Sequence, residues 1–263
     1  MKANKKILIL TNLYSITGAS SLASLLKENQ NIVEVITVQG TIKKKTPTQF
    51  LTYAIKKEGV KYLYNKLKLG TKTKIRAKFS KFIHNNNNNE IYYSINEVKK
   101  IYNFKHKIVK DINDPKVIEH IKNLDIDLLI SLSFSYIIKP DILQIPKIAS
   151  INLHRSYLPK YRGCNPVFWV RAFKEKETGY TFHYLNEELD KGDIIFQEKI
   201  PLYEKNTNTD IMIRMSKKIV KTINPIVNSV IEGTAPRIRQ NEEEASYFKC
   251  PTKEDRLKYN IWD

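Results

Sequence analysis

The sequence predicts an α/β protein: an open, mostly parallel, twisted sheet with helices on both faces. Three observations carry this. Ile7-Leu8-Ile9-Leu10 is an apolar run of strand length, followed by a small-residue loop with Gly18, a helix-prone segment from Ser20 to Lys27 and a second β-rich run from Ile32 to Val38. Strand, loop, helix, strand is how such a sheet begins. Leu128-Leu129-Ile130-Ser131-Leu132 repeats the buried-strand signature in mid-chain. Finally, 263 residues with 41% hydrophobic content bury a sizeable core and exclude wholesale disorder.

The elements follow in order. Thr17, Ser20 and Ser21 are candidate caps for the first helix, whose free N–H groups could hold an anion. A Gly-x-Gly-x-x-Gly run is missing, so a dinucleotide fingerprint is not supported. Pro47 to Lys81 then shows helical spacing, with Phe50, Leu51, Ala54 and Ile55, and later Tyr62, Leu63, Lys66 and Leu67. This predicts one or two basic amphipathic helices in an insert at about 41–90, with Asn85 to Asn89 as a low-complexity link. Val98 to Tyr102 and Pro115 to Leu124 read as helical pieces, Ser133 to Ile138 as a loop, and Pro140 to Leu143 as a helical turn. Ala149 to Leu153, Gly179 to His183 and Ile194 to Ile200 read as strands. Asn208 to Glu232 reads as a long amphipathic helix with Ile211, Met215, Ile219, Ile223 and Val227 on one face, kinked at Pro225. The expected organisation is a core over 1–205, then a C-terminal helix and a charged, loosely patterned tail over 206–263 that pack on it.

Composition narrows the function classes. No apolar run approaches the roughly 20 residues of a membrane span. The charged N-terminus is followed by only four apolar residues, Ile7 to Leu10, too few for a signal peptide. Two cysteines, Cys164 and Cys250, are too few for a disulfide framework or a zinc site. The expected location is the cytoplasm. A net charge of +18 favours phosphate-bearing partners: nucleic acid, a nucleotide-linked substrate, a polyglutamylated cofactor or anionic lipid. The charge is concentrated, with thirteen Lys or Arg and one acid, Glu58, between Thr41 and Lys81. A general Lys, Asn and Ile bias of composition competes with that reading.

The chemistry-bearing residues lie between Ile151 and Lys199. Asn152 and His154 stand two apart on a predicted strand, hence on one face, near its C-terminal end, where α/β sheets bind ligands. An Asn amide donates to a developing oxyanion, and a neighbouring His stabilises that charge or relays a proton. Asp190 follows in Leu-Asp-Lys-Gly; beside the His it would favour the charged form and hold one ring orientation. Spacing alone does not bring residues 154 and 190 together, and Asp190 also suits a plain turn. His106, His120 and His183 show no ligand spacing, so no metal is expected, and His183 reads as structural.

Four ordered motifs supply the connection: Asn152-Leu153-His154; Leu158-Pro159-Lys160-Tyr161-Arg162-Gly163-Cys164-Asn165-Pro166; Thr178-Gly179-Tyr180-Thr181; and Leu189-Asp190-Lys191-Gly192. Over about Asp127 to Leu202 the chain resembles the catalytic domain of the folate-dependent formyltransferases. That family includes methionyl-tRNA formyltransferase, glycinamide ribonucleotide formyltransferase and the amino-sugar N-formyltransferases. The resemblance implies a Rossmann-like core, N10-formyltetrahydrofolate as formyl donor and a primary amine as acceptor. It further implies that Asn152 and His154 stabilise the oxyanion while Asp190 supports His154 and helps remove the amine proton. Two loops would hold the pterin, Ser133 to Ile138 with Phe134, Tyr136 and Ile138, and Asn186 to Asp190 with Glu187, Glu188 and Leu189. Ordinary packing is the competing reading for Phe134, Tyr136 and Ile138. Arg155 departs from the pattern, since relatives often carry Gly or Pro after the His; it either crowds the strand or reaches a substrate phosphate.

The acceptor is expected to be a nucleotide-linked amino sugar, with Asn12, Arg155 and Arg162 as substrate-binding candidates and Arg171 as a further possible contact. Methionyl-tRNA is the alternative, and the Pro-Lys-Tyr-Arg-Gly loop favours it; the segment from Glu244 to Asp255 resembles the linker before the usual C-terminal tRNA domain, after which the chain stops. A non-enzyme alternative is a degenerate core docking on an anionic membrane through the basic insert. A solvated helical flap over the cleft is preferred for that insert. A homodimer is compatible with the sequence.

Overall fold

The computed structural model describes residues 5–38, 55–56, 59–80 and 90–262. Seven strands form one sheet: β1 (Ile7–Thr11), β2 (Ile32–Val38), β3 (His106–Val109), β4 (Leu128–Leu132), β5 (Ala149–His154), β7 (Glu177–Tyr184) and β8 (Ile194–Pro201), in the order β3-β2-β1-β4-β5-β7-β8. The five strands from β3 to β5 are parallel; β7 and β8 join antiparallel at the far edge. Every residue of β1 and β4 is buried, which is why both read as unbroken apolar runs rather than alternating ones. The antiparallel pair costs only a short connection, whereas the parallel strands need helical crossovers.

Helices cover both faces. On one, α1 (Ile16–Lys27) packs with the long α7 (Asn208–Ile231): Ala19, Leu22 and Ala23 meet Ile211, Met215, Ile219, Ile223 and Val227 over Ile7, Ile9, Leu128 and Ile130. The other face carries α4 (Pro115–Asn123) and α5 (Pro140–Leu143), with Ile121 and Ile142 against Leu8, Leu10 and Leu129. Each fully buried aliphatic side chain stabilises the fold by about 1.5–3 kcal/mol relative to leaving it exposed.

Several boundaries depart from the sequence reading. The first helix starts earlier, capped by Ser15, whose hydroxyl accepts from the Gly18 amide; Thr17, Ser20 and Ser21 lie buried within it. β3 was not expected; its four residues lie at the sheet edge with mixed burial, so they carry no apolar run. The piece expected at Val98 to Tyr102 is a single turn, α3 (Ile95–Val98). The motif loop contains β6 (Arg162–Gly163) and α6 (Pro166–Ala172). Pro225 lies inside α7. The tail is more ordered than its patterning suggests: a 3-10 turn (Glu242–Glu244), β9 (Tyr247–Phe248) paired parallel to β6, and α8 (Lys253–Tyr259).

Of the basic insert, α2 (Val60–Lys78) is described; Phe50, Leu51, Ala54 and Asn85 to Asn89 lie outside the described residues. Arg76 on α2 pairs with buried Glu97 at 3.1 Å, and Arg256 of α8 stacks on Tyr62. Cys164 and Cys250 are disulfide-bonded, with Cα atoms 4.7 Å apart. A single bridge thus ties the motif loop to the tail, a pairing across 86 residues that the cysteine count did not suggest.

Candidate active site

The parallel strands reverse their order of addition between β1 and β4, which opens a crevice at their carboxyl ends. Thr11-Asn12 leaves β1 there, Leu132-Ser133 leaves β4, and β5 ends beside them with Ser131 paired to Asn152 and Leu132 to Leu153. Asn12 ties two of these ends together, donating through Nδ2 to the Ser133 carbonyl and to Ser135 Oγ, both at 2.7 Å.

Asn152, His154 and Asp190 meet at this crevice, all buried. Asp190 Oδ1 lies 3.5 Å from His154 Nδ1 and 3.5 Å from His183 Nε2, while Oδ2 accepts from the Gly163 amide at 2.8 Å. His183 donates Nδ1–H to the Tyr184 carbonyl at 2.9 Å, which leaves Nε2 to accept from Asn152 Nδ2 at 3.0 Å. The Asn152 amide therefore keeps a second N–H for a ligand oxygen. Nε2 of His154 donates to the Tyr161 carbonyl at 2.8 Å, so its Nδ1 carries the lone pair toward Asp190.

Local backbone explains the motif residues. Gly163 has φ +95°, and a Cβ there would stand 2.4 Å from the Phe248 carbonyl oxygen. At Gly192 a Cβ would stand 1.7 Å from the Tyr184 carbonyl oxygen. The Leu-Asp-x-Gly turn therefore seats against β7 only with glycine, and Asp190 within it adopts a left-handed φ of +56°. Thr181 pins the loop after His154, donating to the Ser156 carbonyl at 2.7 Å and accepting from the Leu158 amide at 3.1 Å. From the tail, Gln240 Nε2 donates to the carbonyls of Asp190 and Gly192, both at 2.8 Å.

The electrostatics suit proton transfer. Burial pushes the His154 imidazole below its ordinary range, against the opposing pull of Asp190, so the ring is neutral at neutral pH. For Asp190 burial raises the carboxyl's pKa, but the positive charge that His154 and His183 gain when protonated, together with the Gly163 amide, outweighs it and holds the group well below the usual carboxylate range. A neutral imidazole with a free Nδ1 beside a persistent carboxylate can accept a proton and keep it as an ion pair.

Two cavities meet here. One of about 340 Å³ contains Asn152, His154 and Asp190, with Phe134, Tyr136 and Leu189 on its apolar wall. The other, of about 480 Å³, runs under α2 and is lined by Tyr14, Tyr62, Asn65, Tyr93, Asn208 and Trp262, among others. Ser135, Arg155, Cys164, Asn165 and Cys250 border both. Arg155 donates to Met212 Sδ at 3.3 Å, and among the described residues no carboxylate pairs with it. Burial pulls its guanidinium below the ordinary value.

Some expected site residues lie elsewhere. Arg162 borders neither cavity: it is 4% exposed and is held by Gln240 and Glu242, at 2.7–3.1 Å, so it braces the tail. Ile138 packs into the core, and Glu187 and Glu188 are solvent-exposed, with Glu188 paired to Lys191 at 2.6 Å. Arg171 donates to Asn208 Oδ1 at 2.8 Å. His183, read as structural, instead links Asn152 to the Asp190 region. Its position opposite Asn152 on β7 gave no sequence signal because strand register is not visible in spacing.

A family model described as "Formyl transferase" matches residues 5–224. The chain belongs to the formyl transferase family. A similar member is the methionyl-tRNA formyltransferase of Clostridioides difficile (strain 630), 40% identical over 140 residues, which cover 53% of this chain and 45% of that protein. The chain thus spans about half the length of the curated relatives it matches. Among solved structures of the fold, a sugar N-formyltransferase from a Shewanella species superposes with a TM-score of 0.58 at 16% identity, covering 94% of this chain and 77% of that one. An N-formyltransferase from Helicobacter canadensis, in complex with folinic acid and dTDP-3-aminofucose, superposes with a TM-score of 0.55 at 19% identity, covering 93% and 71%. The formyl transferase fold accounts for the mixed sheet and for the crevice at the ends of β1, β4 and β5. Among the described residues no helix is long and apolar enough to cross a membrane, and no group of three or more His, Cys, Asp or Glu could hold a metal ion.

Proposed function

We propose that the protein transfers a formyl group from N10-formyltetrahydrofolate to the primary amine of a nucleotide-linked amino sugar. The observation that carries the acceptor is Arg155, a guanidinium on the wall between the two cavities with no carboxylate partner among the described residues. A half-buried cation without a counterion is matched by an anionic ligand group, here a phosphate of the acceptor. Aromatic rings from Tyr14, Tyr62 and Trp262 and amides from Asn65 and Asn208 suit a base and a hydroxylated sugar in the same cavity.

The donor reading rests on the smaller cavity. Its apolar wall of Phe134, Tyr136 and Leu189 suits a flat ring, and it leads to Asn152 and His154. When bound, N10-formyltetrahydrofolate supplies an activated formyl carbon. Asn152 Nδ2–H donates to the formyl oxygen as negative charge grows on it. His154 Nδ1 would take the proton from the amine as it attacks the formyl carbon, and Asp190 would stabilise the imidazolium that results. That imidazolium would return the proton to the donor nitrogen as the bond between that nitrogen and the formyl carbon breaks, releasing tetrahydrofolate.

The 40% identity to a methionyl-tRNA formyltransferase supports a second acceptor, Met-tRNA, for the same chemistry. Purified protein, donor and a panel of amino-sugar nucleotides should release tetrahydrofolate. Arg155→Met should raise the acceptor KM by about 10–100-fold, the loss of a charged hydrogen bond, and leave the donor KM unchanged. Turnover of methionyl-tRNA with no amino-sugar nucleotide accepted would replace the sugar reading with the tRNA one.

A further inference from the structure

The inner and outer faces of α2 differ sharply. Its inner face closes the larger cavity with Tyr62, Asn65, Leu69 and Thr73 and is tied to the body through Arg76 and Glu97. The outer face carries Val60, Tyr64, Leu67 and Ile75, followed by Phe79 at the helix end, with exposures between 53% and 71%. At 3.6 residues per turn the four helical positions fall within an arc of about 80°, which also holds exposed Thr71 and, at its C-terminal end, Lys78, so they form one largely apolar stripe rather than scattered contacts. Lys68 flanks this stripe on one side and Lys74 on the other, both exposed, while Lys61 and Lys72 on the Lys68 side reach back over the Trp262 and Tyr93 rings. The helix contains no acidic residue.

We propose that this outer face is a docking surface for an anionic lipid bilayer. A row of exposed aliphatic and aromatic side chains edged by lysines suits a helix lying in the headgroup region, its apolar residues in the acyl boundary and its ammonium groups on lipid phosphates. Charge decides against a second copy, because a self-complementary contact would bring lysines against lysines in a chain of net charge +18. Nucleic acid would answer the lysines but leave the apolar stripe in water. The stripe is separate from the residues that line either cavity, so docking leaves the proposed chemistry intact.

The test is co-sedimentation of the full chain with vesicles of phosphatidylcholine alone or with about 30% phosphatidylglycerol, at low and physiological salt. Binding to the anionic vesicles, weakened by salt, is expected. Leu67→Glu with Ile75→Glu should reduce it at least about tenfold, as should Lys68→Glu with Lys74→Glu. Unchanged thermal unfolding would show that these exposed substitutions leave the fold intact. No binding to anionic vesicles at low salt, or equal binding by both double variants, would overturn the proposal. So would a wild-type dimer that Leu67→Glu with Ile75→Glu makes monomeric without any vesicle binding, or RNA binding that survives those two substitutions in a chain that ignores vesicles.

Discussion

Asp190→Asn isolates the electrostatic part of the proposed reaction. The substitution preserves shape and leaves a side-chain oxygen to accept from the Gly163 amide, now made to Oδ2 at 2.8 Å. What it removes is the negative charge 3.5 Å from His154 Nδ1. A full imidazolium at that distance interacts with the carboxylate by about 5 kcal/mol at an effective dielectric of about 20. With the proton about half transferred in the transition state, roughly 2–3 kcal/mol of stabilisation is lost. The new amide can also donate to the His154 lone pair and hold it out of use. At about 1.4 kcal/mol per tenfold, kcat should fall by about 10²-fold or more. The assay is steady-state tetrahydrofolate release with donor and acceptor saturating, with donor affinity measured separately. A kcat within about threefold of wild type would refute the assigned role, as would a loss confined to donor affinity.

Other expectations follow from the same contacts. His183→Phe keeps the ring but cannot accept from Asn152, so kcat should drop by about 10–100-fold with donor affinity maintained, as expected when an oxyanion donor is misplaced. In Gly192→Ala the new methyl meets the Tyr184 carbonyl at 1.7 Å before relaxation, and urea unfolding should show a loss above about 3 kcal/mol. Stability should decline as pH falls. The depressed folded pKa of Asp190 gives stability that is present above about pH 4 and lost below it, and the lowered pKa of His154 lets the unfolded chain take a proton first below about pH 6.5. In His154→Gln the decline in urea midpoint between pH 7 and 5 should therefore be smaller than in wild type. Arg162→Met should lower the urea midpoint by leaving Gln240 without its donor and releasing Glu242 to solvent, and speed proteolysis of the tail, while acceptor KM stays put.

The central strands were legible in the sequence because burial on both faces forces unbroken apolar runs, as in Ile7 to Leu10 and Leu128 to Leu132. Edge strand β3 and the two-residue strands β6 and β9 were not, since a few half-buried residues leave no periodicity. The order within the tail left no sequence signal for a related reason: it is held by side-chain bonds from Gln240, by the β6 pairing and by Cys250, none of which requires an apolar pattern. At the site, Asn152 and His154 stood out through period-two spacing, while His183 did not, because its partner lies on another strand.

Local physics thus determined the sheet class, the motif glycines and the residue types able to carry acyl-transfer chemistry, since each depends on near neighbours along the chain. Tertiary structure decided what those residues meet. It brought Asp190 to within 3.5 Å of His154, turned Arg162 inward to brace the tail, and placed Arg155 between two cavities. It also turned Leu67 and Ile75 of the basic helix outward. Distance, burial and the presence of a counterion are set by segments tens of residues apart, and charge acts through space rather than along sequence.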